Sequence, residues 1–262
     1  GVQKVVVTVG GQENDPQHVG NFTYEDPKIT AVLPKEGPPA GGNMIMIQGL
    51  GLKGGANMTT KVTVNGLKCE QVNALDAHRV TCVAPPSKIS GEVPLSVMIG
   101  STVVSGTYVY INPVVTSIEP EQIPNYGGAK ITIRGRYFGV PANSESKDAI
   151  KASVGGVDCE KTTLISEVEL ECITPAGGGV DTTASVNVQF YDARSADNQL
   201  ATFRAPFIKK ILPSHVPRDA HARVEIEGRF LGNSNRLTHV MVGGEPCTDV
   251  KVDSDHLVSC LV

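Results

Sequence analysis

Val62-Thr63-Val64-Asn65-Gly66-Leu67-Lys68-Cys69, followed by Arg79-Val80-Thr81-Cys82-Val83-Ala84-Pro85, is the stretch that decides how the chain is read. Alternating β-branched residues run into an Asn-Gly turn that ends on a cysteine. After a short loop, a second strand carries another cysteine and stops at proline. The order returns in Ala152-Ser153-Val154-Gly155-Gly156-Val157-Asp158-Cys159 with Val168-Glu169-Leu170-Glu171-Cys172-Ile173-Thr174-Pro175. It returns again in Val240-Met241-Val242-Gly243-Gly244-Glu245-Pro246-Cys247 with His256-Leu257-Val258-Ser259-Cys260. All six cysteines sit in these pairs, and each pair is 13 residues apart.

Such cysteines are buried thiols, metal ligands or disulfides. Zinc sites need close ligand pairs and a second cluster to complete four ligands, and neither is present. Three pairs at one interval, each bracketing a strand, a loop and a strand, read as local disulfides: Cys69 with Cys82, Cys159 with Cys172, Cys247 with Cys260. Disulfides persist in oxidising compartments, so the pairs point to an extracellular or cell-surface location. The sequons Asn21-Phe22-Thr23 and Asn57-Met58-Thr59 agree and make Asn21 and Asn57 glycosylation candidates.

Working outward, each pair lies inside a larger repeat about 90 residues long. One copy opens at Lys28-Ile29-Thr30-Ala31-Val32-Leu33-Pro34. It continues through the turn Gly37-Pro38-Pro39-Ala40-Gly41-Gly42 and the strand Ile45-Met46-Ile47-Gln48-Gly49, and ends on an aromatic strand at Tyr110. The boundaries expected are 28–110, 114–203 and 207–262, with the last copy cut short two residues after its second cysteine. Residues 1–24 read as the last two strands of a preceding repeat. The chain is therefore expected to be a window in a longer array, the alternative being that the first 24 residues complete the third copy of a neighbouring chain. The third copy also departs from the others at Asp219-Ala220, where they carry Gly41-Gly42 and Gly127-Gly128. Only two residues separate each aromatic strand end (Tyr24, Tyr110, Phe203) from the proline before the next repeat, too few for a flexible tether. Repeats joined this way are expected to stack end to end as a semi-rigid rod.

Composition supports an all-β chain: 28 Gly, 17 Pro, no Trp and many short Val/Ile/Thr runs favour strands joined by turns. A net charge of -4 supplies no electrostatic footprint for nucleic acid. No apolar run reaches the roughly 18 residues of a membrane helix, so membrane contact is expected only through other parts of a parent protein.

The ordered set of a proline-closed opening strand, a G-P-x-x-G-G turn, an I-x-I-x-G strand, V-x-V-x-G-x-x-C and V-x-C-x-x-P resembles the IPT/TIG domains of plexins, the hepatocyte-growth-factor receptor family and fibrocystin-like proteins. The resemblance implies tandem immunoglobulin-like β-sandwiches of the E-set type. An array without an intervening cysteine-rich module looks closer to a fibrocystin-like stack than to a plexin stalk. The missing tryptophan and the 13-residue cysteine spacing separate the chain from antibody-type domains.

No catalytic constellation is found. His18, His78, His215, His221, His239 and His256 read as solvated loop residues with no fixed place in the repeats, and Ser195 as part of a solvated hairpin tip. Glu25-Asp26 would suit a calcium ion at one junction, but the other junctions do not repeat the carboxylates. No metal and no cofactor is expected. The function expected is that of a non-enzymatic spacer in a large extracellular or ciliary-surface glycoprotein, presenting other domains. Its partners would be extracellular proteins or neighbouring domains. The alternative is an adhesion or ligand-binding surface of a receptor, or a subunit of an extracellular filament.

Overall fold

The two strands around each cysteine interval belong to opposite sheets. The structure is a computed structural model. It describes residues 2–18, 20–23, 25–55, 58–141, 149–177, 179, 181–217, 221–233 and 238–262. Its elements with described bounds are all β-strands. The chain divides into two compact units, residues 1–112 and 113–262.

In the first unit, one sheet has the order Glu70–Ala74, Arg79–Val83, Met44–Leu50, Lys28–Leu33, all antiparallel. The other runs Glu36–Gly37, Thr102–Tyr110, Gly91–Ile99, Thr60–Val64, Leu67–Lys68, and only its first pairing is parallel. Strand alternation turns one side chain in two inward. Ile45, Ile47, Val80 and Cys82 of the first sheet therefore meet Val62, Val64, Leu95, Val97, Tyr108 and Tyr110 of the second in one core. This is the two-layer packing expected of a β-sandwich. Ahead of it, Val2–Val5 pairs antiparallel with Gly20–Thr23 as a ribbon whose side chains are all exposed.

The second unit repeats the plan. Val114–Glu119, Lys130–Arg136, Glu169–Ile173 and Lys161–Ser166 form one sheet. Gln122–Pro124, Leu200–Arg204, Thr183–Phe190, Ile150–Val154 and Val157–Asp158 form the other. A further sheet follows in the order Phe207–Leu212, Arg223–Arg229, Leu257–Leu261, Thr248–Ser254, accompanied by the hairpin of Met241–Val242 with Glu245–Pro246. Its buried cluster is small, Ile226, Leu231 and Val258, and Phe207–Leu212 is exposed along its whole length.

Three details recur in register. The opening strand carries an irregularity after its second residue, between Ile29 and Ala31, Val115 and Ser117, and Ile208 and Lys210. Opposite it stands a glycine whose hypothetical Cβ would lie 2.0 Å from the Lys28 carbonyl oxygen at Gly49, 1.9 Å from that of Val114 at Gly135, and 2.0 Å from that of Phe207 at Gly228. The terminal glycine of the I-x-I-x-G strand is thus required by close backbone approach. The proline closing each opening strand follows a cis peptide bond, at Leu33-Pro34, Glu119-Pro120 and Leu212-Pro213.

The interval between the cysteines differs from the short loop expected. It contains a strand, Glu70–Ala74, Lys161–Ser166 or Thr248–Ser254, that pairs with the strand of the second cysteine. These are edge strands with few inward residues, Val72 and Ala74 in the first copy and Val250 and Val252 in the third, so their alternation is faint. The Asp219-Ala220 departure lies outside the described residues.

Candidate functional site

Each cysteine pair marks the place where the chain crosses between its two layers. The turns before the first cysteine carry consecutive positive φ angles, 52° and 77° at Asn65-Gly66, 60° and 81° at Gly155-Gly156, 62° and 93° at Gly243-Gly244. That is the two-residue hairpin geometry for which Asn-Gly and Gly-Gly are suited. The first cysteine then donates its N–H back across the hairpin: Cys69 to Val62, Cys159 to Ala152 and Cys247 to Val240, at 2.8–2.9 Å. The second cysteine is fully buried on the neighbouring sheet in all three copies. Cys159 and Cys172 form a disulfide with a Cα–Cα distance of 5.7 Å, and Cys247 and Cys260 form another with the same Cα–Cα distance. Cys69 and Cys82 stand in the same place as buried thiols. The hydrogen bond that the Cys82 thiol donates to Cys69, together with burial, raises the pKa of Cys82 well above the ordinary thiol range.

The loop before the second cysteine is also built one way three times. A side-chain oxygen accepts the backbone N–H two residues on: Asp76 from His78 at 2.8 Å, Ser166 from Val168 at 3.3 Å, and Ser254 from His256 at 3.2 Å. The loop carbonyls receive the N–H groups of the glycine bend, Gly49 to His78, Gly135 to Val168 and Gly228 to His256. Two histidines therefore do share a place, contrary to the sequence expectation. His78 and His256 each lie four residues before the second cysteine, with Nδ1 3.2 Å from the carbonyl oxygen of Gly49 or Gly228. Counting back from the cysteine reveals this; counting histidines along the chain does not. Both remain exposed.

Ser195 is also placed differently from expectation. The tip, Tyr191-Asp192, is exposed, but Ser195 is buried and its hydroxyl accepts the Val188 N–H at 3.0 Å. Beside it the buried Asn187 amide donates to Asp197 Oδ1 at 2.6 Å, and its carbonyl accepts from Arg194 at 2.8 Å. The network closes a break between two short strands, Ala193–Arg194 and Leu200–Arg204.

Within the second unit, the two successive sheets-and-bends touch. Tyr126 makes a hydrogen bond with the Gly232 backbone, and its hydroxyl pKa is raised by burial and by the nearby Asp255 carboxylate. A groove of about 820 Å³ is lined by Glu119, Arg134, Arg229, Asp255 and His256 among others. Its charges are largely paired internally, Arg134 with Glu119 and Glu169, and His256 with Asp255. Among the described residues no group of His, Cys, Asp and Glu side chains has the arrangement of a metal site.

The two glycosylation candidates separate. Asn21 is exposed on the strand Gly20–Thr23; Asn57 lies outside the described residues.

Comparison with known proteins agrees with the repeat geometry. The chain is 27% identical over 237 residues to Plexin-2 of Caenorhabditis briggsae, an alignment covering 88% of this chain and 13% of the relative. It is 30% identical over 162 residues to Plexin-B2 of Mus musculus, covering 59% of this chain and 8% of the relative. The chain thus spans a small fraction of the length of these curated relatives. Among solved structures, the full extracellular region of Plexin A4 aligns with 96% of this chain and 23% of its own, at 19% identity and a TM-score of 0.39. The IPT/TIG domain model matches residues 27–110, 113–203 and 206–262. With almost every residue after the first ribbon inside one of these matches, the chain belongs to the IPT/TIG family.

Proposed function

We propose that the chain is a non-enzymatic spacing and interaction segment in the extracellular region of a plexin-like receptor. The observation that carries the reading is the unbroken succession of three IPT/TIG matches, with two residues between each match and the next. A two-residue link leaves little slack, and repeats tethered this closely are expected to behave as a semi-rigid array that holds neighbouring domains apart. The plexin relatives favour a receptor over the fibrocystin-like stack that the uninterrupted array resembled, and nothing in them favours a ciliary surface. In this reading residues 28–110, 114–203 and 207–262 are the repeats and residues 1–24 belong to the one before.

The cysteine pairs fit this address. We assign all three to disulfides, including Cys69 with Cys82, whose positions on the fold repeat those of the two bonded pairs. Asn21, exposed on its ribbon, is assigned as a glycan acceptor, and Asn57 on its sequon alone.

The test has two arms. Small-angle scattering of the purified chain should give an elongated particle, and a compact one would overturn the spacer role. A membrane-impermeant label applied to intact cells expressing the parent protein should modify this segment. Protection from the label until the cells are opened would overturn the extracellular placement.

A further inference from the structure

The outer face of one sheet in the first repeat carries a straight line of side-chain donors. Val62, Val64, Leu95 and Val97 turn into the core, so strand alternation turns Thr63 and Ser96 outward. Thr63 lies opposite Lys68 on one side and Ser96 on the other, and Ser96 lies opposite Ser105. Lys68, Thr63, Ser96 and Ser105 thus form one row across four strands, roughly 14 Å from end to end at the spacing of paired strands. The neighbouring row is Lys61, Met98 and Val103. Among the described residues neither lysine is in an ion pair, and none of the three hydroxyls is hydrogen-bonded.

The other two copies fill these positions differently. Counted from the first cysteine, Lys61 and Lys68 correspond to Lys151 and Asp158 in the second repeat and to His239 and Pro246 in the third. Lys151 and Asp158 are ion-paired at 3.3 Å, so side chains at the two places reach each other. The second repeat's row, Asp158, Ser153 and Asn187, ends on a buried amide already bonded to Asp197 and Arg194. The first repeat instead sets two cations within reach of each other and leaves its row open. Lysines so placed repel, and no carboxylate of the described residues pairs with either. Residues 28–110 carry seven Lys and Arg against four Asp and Glu, whereas residues 114–203 carry seven against twelve.

We propose that this face binds a linear anionic polysaccharide laid along the row, with an acidic group between Lys61 and Lys68 in the place that the Asp158 carboxylate has beside Lys151. Thr63, Ser96 and Ser105 can each donate and accept, which suits a polymer whose hydroxyls alternate with its charges. An acidic peptide offers only acceptors from its side chains, and its backbone would find the groups of Thr60–Val64 and Gly91–Ile99 engaged in the sheet. A flat face has no concavity to hold a small free anion. Two lysines also fall short of the roughly four to eight cations that mark attachment to acidic lipid. The choice of an extracellular polymer rests on the extracellular reading; the row and its unpaired charges do not.

Titration of the purified chain with size-defined heparin fragments, followed by calorimetry and amide shifts, tests this. Heparin should bind at low ionic strength, be released as salt rises, and shift the amides of Thr63, Lys68, Ser96 and Ser105. Lys68→Asp rebuilds the second repeat's pairing with Lys61 and should weaken binding about tenfold, with thermal melting unchanged. Lys209→Asp, the same change of charge on the exposed strand Phe207–Leu212, should leave binding intact. Ser96→Ala with Ser105→Ala removes donors without touching charge and should weaken binding about threefold or more. An intact chain that does not bind, equal losses with Lys68→Asp and Lys209→Asp, or indifference to the serine pair would each overturn the proposal. So would tighter binding to polyglutamate, or to vesicles containing phosphatidylserine, than to heparin. Heparin binding is read on the purified chain and placement on intact cells, so the two readings fail separately.

Discussion

The Tyr110 hydroxyl donates to the Pro85 carbonyl oxygen at 2.6 Å, joining the last strand of the first repeat to the segment that follows its second cysteine. Both groups are buried. Tyr110→Phe leaves the carbonyl unsatisfied, and should lower the stability of this repeat by about 1–3 kcal/mol. Urea denaturation of the variant checks this, and an unchanged midpoint would show that water replaces the bond.

Alkaline titration reads the same region. Burial raises the Tyr108 hydroxyl pKa to about 12, a rise moderated by its hydrogen bond with Asn43, and burial raises Tyr110 further. A raised folded-state pKa favours the neutral form, so this contribution to stability is complete below about pH 10 and is lost as pH rises through about 12. Ultraviolet titration should find two tyrosines that ionise only together with alkaline unfolding of the first repeat. Ordinary titration of both, with the fold intact, would contradict their burial.

The three close-approach glycines make a matched set. At Gly135 an added Cβ would meet the Val114 carbonyl at 1.9 Å and the Phe138 ring at 2.5 Å. Backbone cannot yield as a flexible side chain does, so Gly135→Ala should cost about 1–3 kcal/mol. Gly156→Ala, where nothing lies within 4 Å but φ is +81°, should cost less, on the order of 1 kcal/mol from left-handed backbone alone. Comparing the two melting curves separates steric contact from backbone preference.

Non-reducing peptide mapping should recover Cys69 with Cys82, Cys159 with Cys172 and Cys247 with Cys260. Removing Cys159 and Cys172 together should destabilise the second repeat by roughly 3 kcal/mol, the loop-closure value for a ring of this size. Linkage between repeats would sink the assignment.

Secretion from glycosylating cells should add a glycan at Asn21, detectable by mass and removed by Asn21→Gln. A chain unmodified at this position would count against the extracellular reading.

The repeat, its register and the β class were legible because the cysteine interval and the I-x-I-x-G strand are local signals with a physical cause, a crossing between layers and a close backbone approach. The strand between the cysteines was hidden because Val72 and Ala74 alone face inward there, against polar Glu70, Gln71 and Asn73. The burial of Ser195 depends on Asn187, Arg194 and Asp197 converging in space, which no local pattern in the sequence displays. The shared place of His78 and His256 was present in the sequence, four residues before a cysteine, and needed only the right origin for counting. The row from Lys68 to Ser105 is visible only once the strand register is known.

The short reach of the Cys159–Cys172 bond has a consequence for biogenesis. Both of its cysteines leave the ribosome ahead of Thr183–Phe190 and Leu200–Arg204, the strands that finish the opposite layer. In the extracellular reading, each pair is local enough to close without waiting for the cysteines of the next repeat. A long array assembled in this way keeps incorrect pairings scarce however many copies it contains.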